Sequence, residues 1–117
     1  MADKDDLGRR GEEIAATWLE QRGMTVIARN WRCGSGEIDI VLSEGETTVF
    51  AEVKTRSSTT FGHPFEAITP AKAARLRRLA AEWCRQNRAS AELRIDVVAV
   101  RDAWSPSPIV EHVRGAV

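Results

Sequence analysis

Two β-rich segments lie three residues apart in the middle of the chain, and no other feature of the sequence restricts the fold as tightly. Residues 36–43 contain Glu37-Ile38-Asp39-Ile40-Val41-Leu42, residues 47–55 read Thr-Thr-Val-Phe-Ala-Glu-Val-Lys-Thr, and only Glu44-Gly45-Glu46 separates them. So short a link permits a hairpin and excludes the crossover that parallel neighbours need, so the two segments pair antiparallel. Alternate residues of a strand share a face, which sets Glu37 and Asp39 on one side of the first segment. Phe50, Glu52, Lys54 and Arg56 share one side of the second.

The flanking sequence supplies what covers this hairpin. Leu7, Gly11, Ile14, Ala15, Trp18 and Leu19 recur at helical spacing and predict an amphipathic helix over residues 6–21, ending before Gly23. Residues 24–28 are a short β-rich segment. Residues 57–69 are Ser/Thr-rich with Gly62 and Pro64, the composition of a long exposed loop. Thr69 then reads as an N-cap with Pro70 at the first helical position, and Ala73, Leu76, Leu79, Ala80 and Trp83 stripe a second helix to about residue 87. Residues 93–101 predict a buried strand, and residues 109–113 a short edge strand after Ser105-Pro106-Ser107-Pro108. The order α-β-β-β-α-β-(β) predicts an α/β fold, a mixed sheet flanked by helices. With 117 residues the chain is expected to form one domain, 1–117, around one core.

Composition excludes several classes. Hydrophobic residues at 43% and charged residues at 29% suit a globular domain and argue against disorder. No apolar run approaches the roughly 20 residues of a membrane span, and Asp3, Asp5 and Asp6 give the start an acidic character opposite to a signal peptide, so a cytoplasmic protein is expected. Cys33 and Cys84 form neither a disulfide framework nor a zinc spacing. The net charge is zero, but residues 1–53 hold six basic and eleven acidic residues, whereas residues 54–101 hold ten and four. A basic half points to a polyanionic partner; the alternative is a helix with a solvated charged face.

The hairpin also carries the candidate chemistry. If its register sets Asp39 and Glu52 on the same face of neighbouring strands, their carboxylates can bind one hard cation such as Mg²⁺, with Lys54 two residues along. A cation and an ammonium so placed can stabilise charge on a phosphoryl group and orient an attacking water, which is a phosphodiester hydrolysis site. The alternative is a Glu-x-Lys charge pair on a strand. On the first helix, Glu12 lies about 100° from the centre of the apolar stripe and Glu13 about 160° on the other side. Glu12 therefore borders the buried face and can join the acids, whereas Glu13 is expected in solvent.

Other residues divide between binding and structure. Lys72 falls on the inward stripe of the second helix, as a phosphate contact, an additional site charge or a snorkelling lysine. Arg75, Arg78 and Arg85 face outward, with Arg77 and Arg88 nearer the flank, and could track a phosphate backbone. Arg56 continues the Glu52/Lys54 face and is the better candidate for contact near the scissile group. His63 lies in the loop and could touch substrate. Asp96, inside a strand, is expected to pair with Arg94 or another arginine; Trp18 and Trp83 are expected in the core, and Trp31 and Trp104 in loops packed over a sheet edge.

Gly8-x-x-Gly11-Glu12-x-x-Ala15, Gly23, Asn30, Gly36-Glu37-Ile38-Asp39, Phe50-Ala51-Glu52-Val53-Lys54-Thr55-Arg56, Phe61-Gly62, Lys72 and Arg94-Ile95-Asp96-Val97-Val98 together resemble the YraN-type family of small bacterial proteins. That family is similar in turn to archaeal Holliday junction resolvases and, more distantly, to the restriction-endonuclease-like PD-(D/E)xK nucleases. The resemblance implies a restriction-endonuclease-like αβββαβ core, with Asp39, Glu52 and Lys54 on the three motif positions and Glu12 on the resolvases' helix glutamate. It further implies Mg²⁺ or Mn²⁺ as cofactor, nucleic acid, above all DNA, as partner, and by analogy a homodimer. Glu37-Ile38-Asp39 lacks the proline often found before the aspartate, so the resolvases' substrate does not carry over. Three readings follow: an endonuclease on structured DNA, a nucleic-acid-binding module without turnover, and a small domain that binds a protein partner. For either nucleic-acid reading, replacing Arg75 and Arg78 together should lower the magnitude of the log-affinity versus log-salt slope by about 0.7 to 0.9 per lost phosphate contact. A titration series in salt measures it, and an unchanged slope makes that face a solvated surface only.

Overall fold

A computed structural model describes residues 4–56, 68–89 and 92–117. The elements are α1 (Lys4–Gln21), β1 (Thr25–Cys33), β2 (Gly36–Glu44), β3 (Thr47–Arg56), α2 (Pro70–Asn87), β4 (Leu93–Arg101) and β5 (Ile109–Val113). The main departure from expectation is β1, which runs five residues past residue 28 and takes in Trp31. Trp31 is thus a half-buried strand residue that packs on the α2 side, not a loop tryptophan. The polar run Arg29-Asn30 hides the continuation of the strand, and Asn30 has a left-handed backbone with φ 51°. Helix α2 starts as its sequence predicts. The Thr69 side chain accepts from the Lys72 N–H at 3.1 Å, satisfying one of the first-turn donors that have no partner inside the helix. Of the expected loop, residues 57–67 lie outside the described residues, and His63 with them.

The five strands form one sheet in the order β1-β2-β3-β4-β5. β3 and β4 are parallel, as a helical crossover allows, and the other neighbours are antiparallel. The alternation along β3 sorts the core into two layers. Val49 and Ala51 join Ile40, Leu42, Val98 and Val100 beneath Ala15, Ala16 and Leu19 of α1. Phe50 turns the other way, to Val41, Ile95 and the Leu76, Leu79 and Trp83 stripe of α2. The result is the mixed sheet flanked by helices that the element order predicts, with the αβββαβ succession intact. No helix among the described residues is long and apolar enough to cross a membrane.

Two features lock the layers. Gly11 is buried, and a Cβ there would stand 2.9 Å from Thr55 Cβ and Cγ2 and closer still to Oγ1, so a missing side chain is what lets α1 settle on β3. Beneath the other end of α1, Asp96 has no exposed surface. Its carboxylate accepts from Arg94 Nε at 2.8 Å, Arg94 Nη2 at 3.0 Å and the Gly115 N–H at 3.0 Å, and meets His112 Nε2 at 2.8 Å. Arg94 also donates to Glu44, which Arg114 holds from the other side. Burial alone would raise the Asp96 pKa; the bonds from His112, Arg94 and Gly115 outweigh it and bring it down to about 2. The structure thus pairs Asp96 with Arg94, as expected of a residue that ties the sheet.

Both features can be tested by chemical denaturation. Gly11→Ala should destabilise by about 1–3 kcal/mol, the usual range for overpacking. Adding Thr55→Ala, which removes the closest atom, should restore part of the loss. Because the Asp96 pKa is depressed in the fold, its contribution is present above the ordinary aspartate pKa and disappears as pH falls from about 4 toward 2. Wild type should lose on the order of 2 kcal/mol across that window from this group. Asp96→Asn should be less stable at pH 7 and show a shallower acid dependence.

Candidate active site

The β2–β3 ladder runs from Glu44↔Thr47 to Ile40↔Ala51 and is not paired beyond it, although both strands continue. One step past the last pair, Asp39 falls opposite Glu52. Asp39 Oδ2 accepts the Val53 N–H at 2.8 Å, so a side-chain oxygen takes the place of a carbonyl in the ladder. The parting of two strands thus opens a notch, and the alternation of β2 breaks beside it, with Ile40 in the α1 layer and Ile38 in the α2 layer. Burial, then the neighbouring Glu52, push the Asp39 carboxyl up to about 7, with the Val53 hydrogen bond opposing and Glu12 and Glu37 adding to the rise.

Helix α1 brings the next acid. With Gly11 pressed on Thr55, Glu12 is half-buried and points to the sheet, while Glu13 is exposed and 3.7 Å from Arg10 Nη1. The helical geometry that separates these two glutamates in the sequence separates them in the fold. Asn30 Nδ2 donates to Glu12 Oε2 at 2.9 Å and to Glu37 Oε1 at 3.0 Å, and Glu37 Oε2 meets Arg32 Nε at 3.0 Å. Among the described residues, Glu12, Glu37 and Asp39 each offer one oxygen within 4.8 Å of the other two. Sequence reasoning selects Glu12 and Asp39 but passes over Glu37 and Asn30. The available signal is the alternation that sets Glu37 on the Asp39 face; nothing in the strand pattern indicates that Asn30 bends toward both glutamates.

Glu52 and two lysines make the opposite wall. Lys54 Nζ lies 3.3 Å and Lys72 Nζ 3.1 Å from Glu52 Oε1, with side chains only 14% and 21% exposed against 12% for Glu52. Both ammonium groups meet the same oxygen, which leaves Oε2 outside these ion pairs. Lys72 arrives from the first turn of α2, its backbone N–H bonded to the Thr69 cap, and its ammonium meets Glu52 instead of snorkelling to open solvent. Burial, then Lys72 beside it, lower the Lys54 pKa, and Glu52 opposes them. An all-oxygen set of acids, one of them with its pKa raised by burial and by its acidic neighbours, fits a hard divalent cation, since a cation relieves the same repulsion that a proton relieves.

Arg56 closes β3 half-buried, and Arg75 and Arg78 are exposed on α2, with the Arg75 stem lying against Gly36 at the start of β2. Along the other flank of α1, a groove of about 450 Å³ is lined by Asp6, Arg9, Arg10, Glu13 and Trp104 and contains none of the clustered acids. Trp104 is 59% exposed there, so it does not pack over a sheet edge as expected.

A family model described as "Uncharacterised protein family UPF0102" matches residues 11–100. The chain is 58% identical to a UPF0102 protein of Leifsonia xyli subsp. xyli over 118 residues, covering all of both chains. It is 57% identical to one from Arthrobacter sp., covering 98% of each, and 48% identical to one from Acidothermus cellulolyticus, covering 97% of this chain and 94% of the relative.

With Asp39 protonated up to about pH 7, a cation must displace that proton. Calorimetric Mg²⁺ or Mn²⁺ affinity should therefore rise as pH increases toward 7 and level off above it. Glu12→Gln should weaken binding, and Glu13→Gln should leave it unchanged. Identical affinities for the two variants would remove α1 from the site.

Proposed function

This chain belongs to UPF0102, the YraN-type family, and from the chemistry of its notch we propose that it is a cation-dependent endonuclease that hydrolyses phosphodiester bonds in structured DNA. The observation that supports the reading is the cluster of Glu12, Glu37 and Asp39, with Glu52 across from Asp39 and paired with Lys54 and with Lys72 of α2. Carboxylates buried beside one another cost stability unless charge is supplied to them, and structural acids have cheaper arrangements, as Asp96 demonstrates in the same sheet.

Glu12, Asp39 and Glu52 would hold the cation, through oxygen alone. When bound, Mg²⁺ or Mn²⁺ supplies positive charge against the negative charge that builds on a phosphodiester during attack. The chain's own residues do the rest. Lys54, with its lowered pKa and its restricted exposure, orients the attacking water and gives up a proton at Nζ more readily than a free lysine does. Lys72 balances Glu52 in the resting site and offers its ammonium to a phosphate oxygen once substrate enters. Arg56 at the end of β3 and the exposed Arg75 and Arg78 of α2 are the groups this reading offers to a phosphate backbone. Binding through them would depend on charge and duplex shape more than on sequence.

A nucleic-acid-binding module without turnover is the second reading, favoured by the exposed Arg75, Arg77 and Arg78 of α2. Purified protein with Mg²⁺ or Mn²⁺ should be incubated with linear, nicked, flapped, single-stranded and four-way DNA. Cleavage of at least one branched substrate is expected, and Asp39→Asn and Glu52→Gln should abolish it. Lys54→Ala should bind DNA and metal as wild type while cleaving at least about 100-fold more slowly, since its role lies in the transition state. Binding without cleavage of any substrate leaves the second reading.

A further inference from the structure

Asn30 has a conformation that strands rarely contain. Arg29 pairs with Ile40 and Trp31 with Ile38, which sets Asn30 across from Asp39 in the middle of β1. Its φ of 51° is left-handed, a conformation unfavourable for residues with a side chain, although asparagine tolerates it better than most. Such outliers persist where the surrounding contacts over-determine them, and they cluster at functional sites. The side-chain contacts here are the two hydrogen bonds to Glu12 and Glu37. An amide nitrogen carries two hydrogens and carboxylates only accept, so both of its hydrogens are committed to the two acids. Glu12 belongs to a helix and Glu37 to a strand, and like charges would part without a donor between them. Arg32 neutralises Glu37 from outside but is itself largely exposed, at 77%, and does not reach Glu12 by any ion pair described.

We propose that Asn30 is a positioning residue that holds Glu12 of α1 and Glu37 of β2 against Asp39, making Glu37 a third carboxylate on this side of the cation site. The inference rests on the reading of the notch as a cation-dependent nuclease site, and it deepens that reading. The cation is drawn to a set contributed by three elements, and the residue that joins two of them touches neither cation nor substrate. The local backbone is bent so that one amide faces both glutamates.

The test titrates Mn²⁺ into the full chain by calorimetry and follows thermal unfolding of the metal-free protein in parallel. Asn30→Gly leaves the left-handed backbone at no steric cost and removes the amide. It should weaken Mn²⁺ binding by about 10-fold or more, as loss of an outer-shell partner does, while the unfolding midpoint stays or rises. Glu37→Gln keeps an acceptor for Asn30 and removes the charge, and it should weaken Mn²⁺ binding at least as much. Wild-type affinity in both variants overturns the inference and leaves the rest of the acid site standing. A lower unfolding midpoint for Asn30→Gly with unchanged affinity makes Asn30 a structural residue and overturns the inference too. If Asn30→Gly does not fold, Glu37→Gln decides alone. A wild-type protein that binds no Mn²⁺ at pH 8 removes the cation site, and with it both this inference and the reading beneath it.

Discussion

The register of β2 on β3 is the constraint from which both core and notch follow. With Ile40 opposite Ala51, the apolar residues at 49 and 51 face α1, residue 50 faces α2, and Asp39 falls level with Glu52 at the point where the ladder ends. A slip of one residue would turn Val49 and Ala51 away from α1 and carry Glu52 and Lys54 into its apolar layer, so the hydrophobic pattern that fixes the sheet also fixes the acids. The notch needs no special loop to build it. It is where pairing stops and the alternation of β2 breaks, since Ile40 faces the α1 layer and Ile38, two residues away, the α2 layer.

Two aspartates of this sheet, Asp39 on β2 and Asp96 on β4, show how environment decides what a buried acid is for. Asp96 is surrounded by an arginine fork, a histidine and a backbone N–H, and is held ionised far below neutrality. Asp39 is buried with one N–H and three carboxylate neighbours, and burial first, then those neighbours, push its pKa up to about 7. The first has its counter-charges built in and serves the fold. The second lacks them, and an acid in that condition is suited to exchanging protons or cations with solvent.

Much of this was legible in the sequence because it depends on short-range rules. The hairpin follows from a three-residue link, α2 from Thr69 and Pro70, and the choice of Glu12 over Glu13 from 100° per residue. The sequence was silent where a residue's role depends on partners far along the chain. Glu37 shares a face with Asp39, yet its place in the cluster depends on a helix 25 residues earlier and on Asn30. Trp31 belongs to a strand that polar residues disguise, because β1 lies at the sheet edge, where Arg29, Asn30 and Arg32 stand exposed between its half-buried residues. Trp104, expected over a sheet edge as a large apolar side chain, is held in the open by a turn.

The irregularity of β1 has a consequence for the solution behaviour of the molecule. An open sheet ends in two strands whose outer backbone groups are unpaired, and a regular edge of that kind recruits strands from other chains. Here the register of β1 shifts between Val26 and Ala28, its backbone turns left-handed at Asn30, and Arg29 and Arg32 stand exposed along it. The opposite edge, β5, is five residues long. An incoming strand would find on β1 no unbroken row of donors and acceptors, and would meet two arginines first. The kink that orients an amide toward two glutamates thus also blunts the side of the sheet most exposed to aggregation.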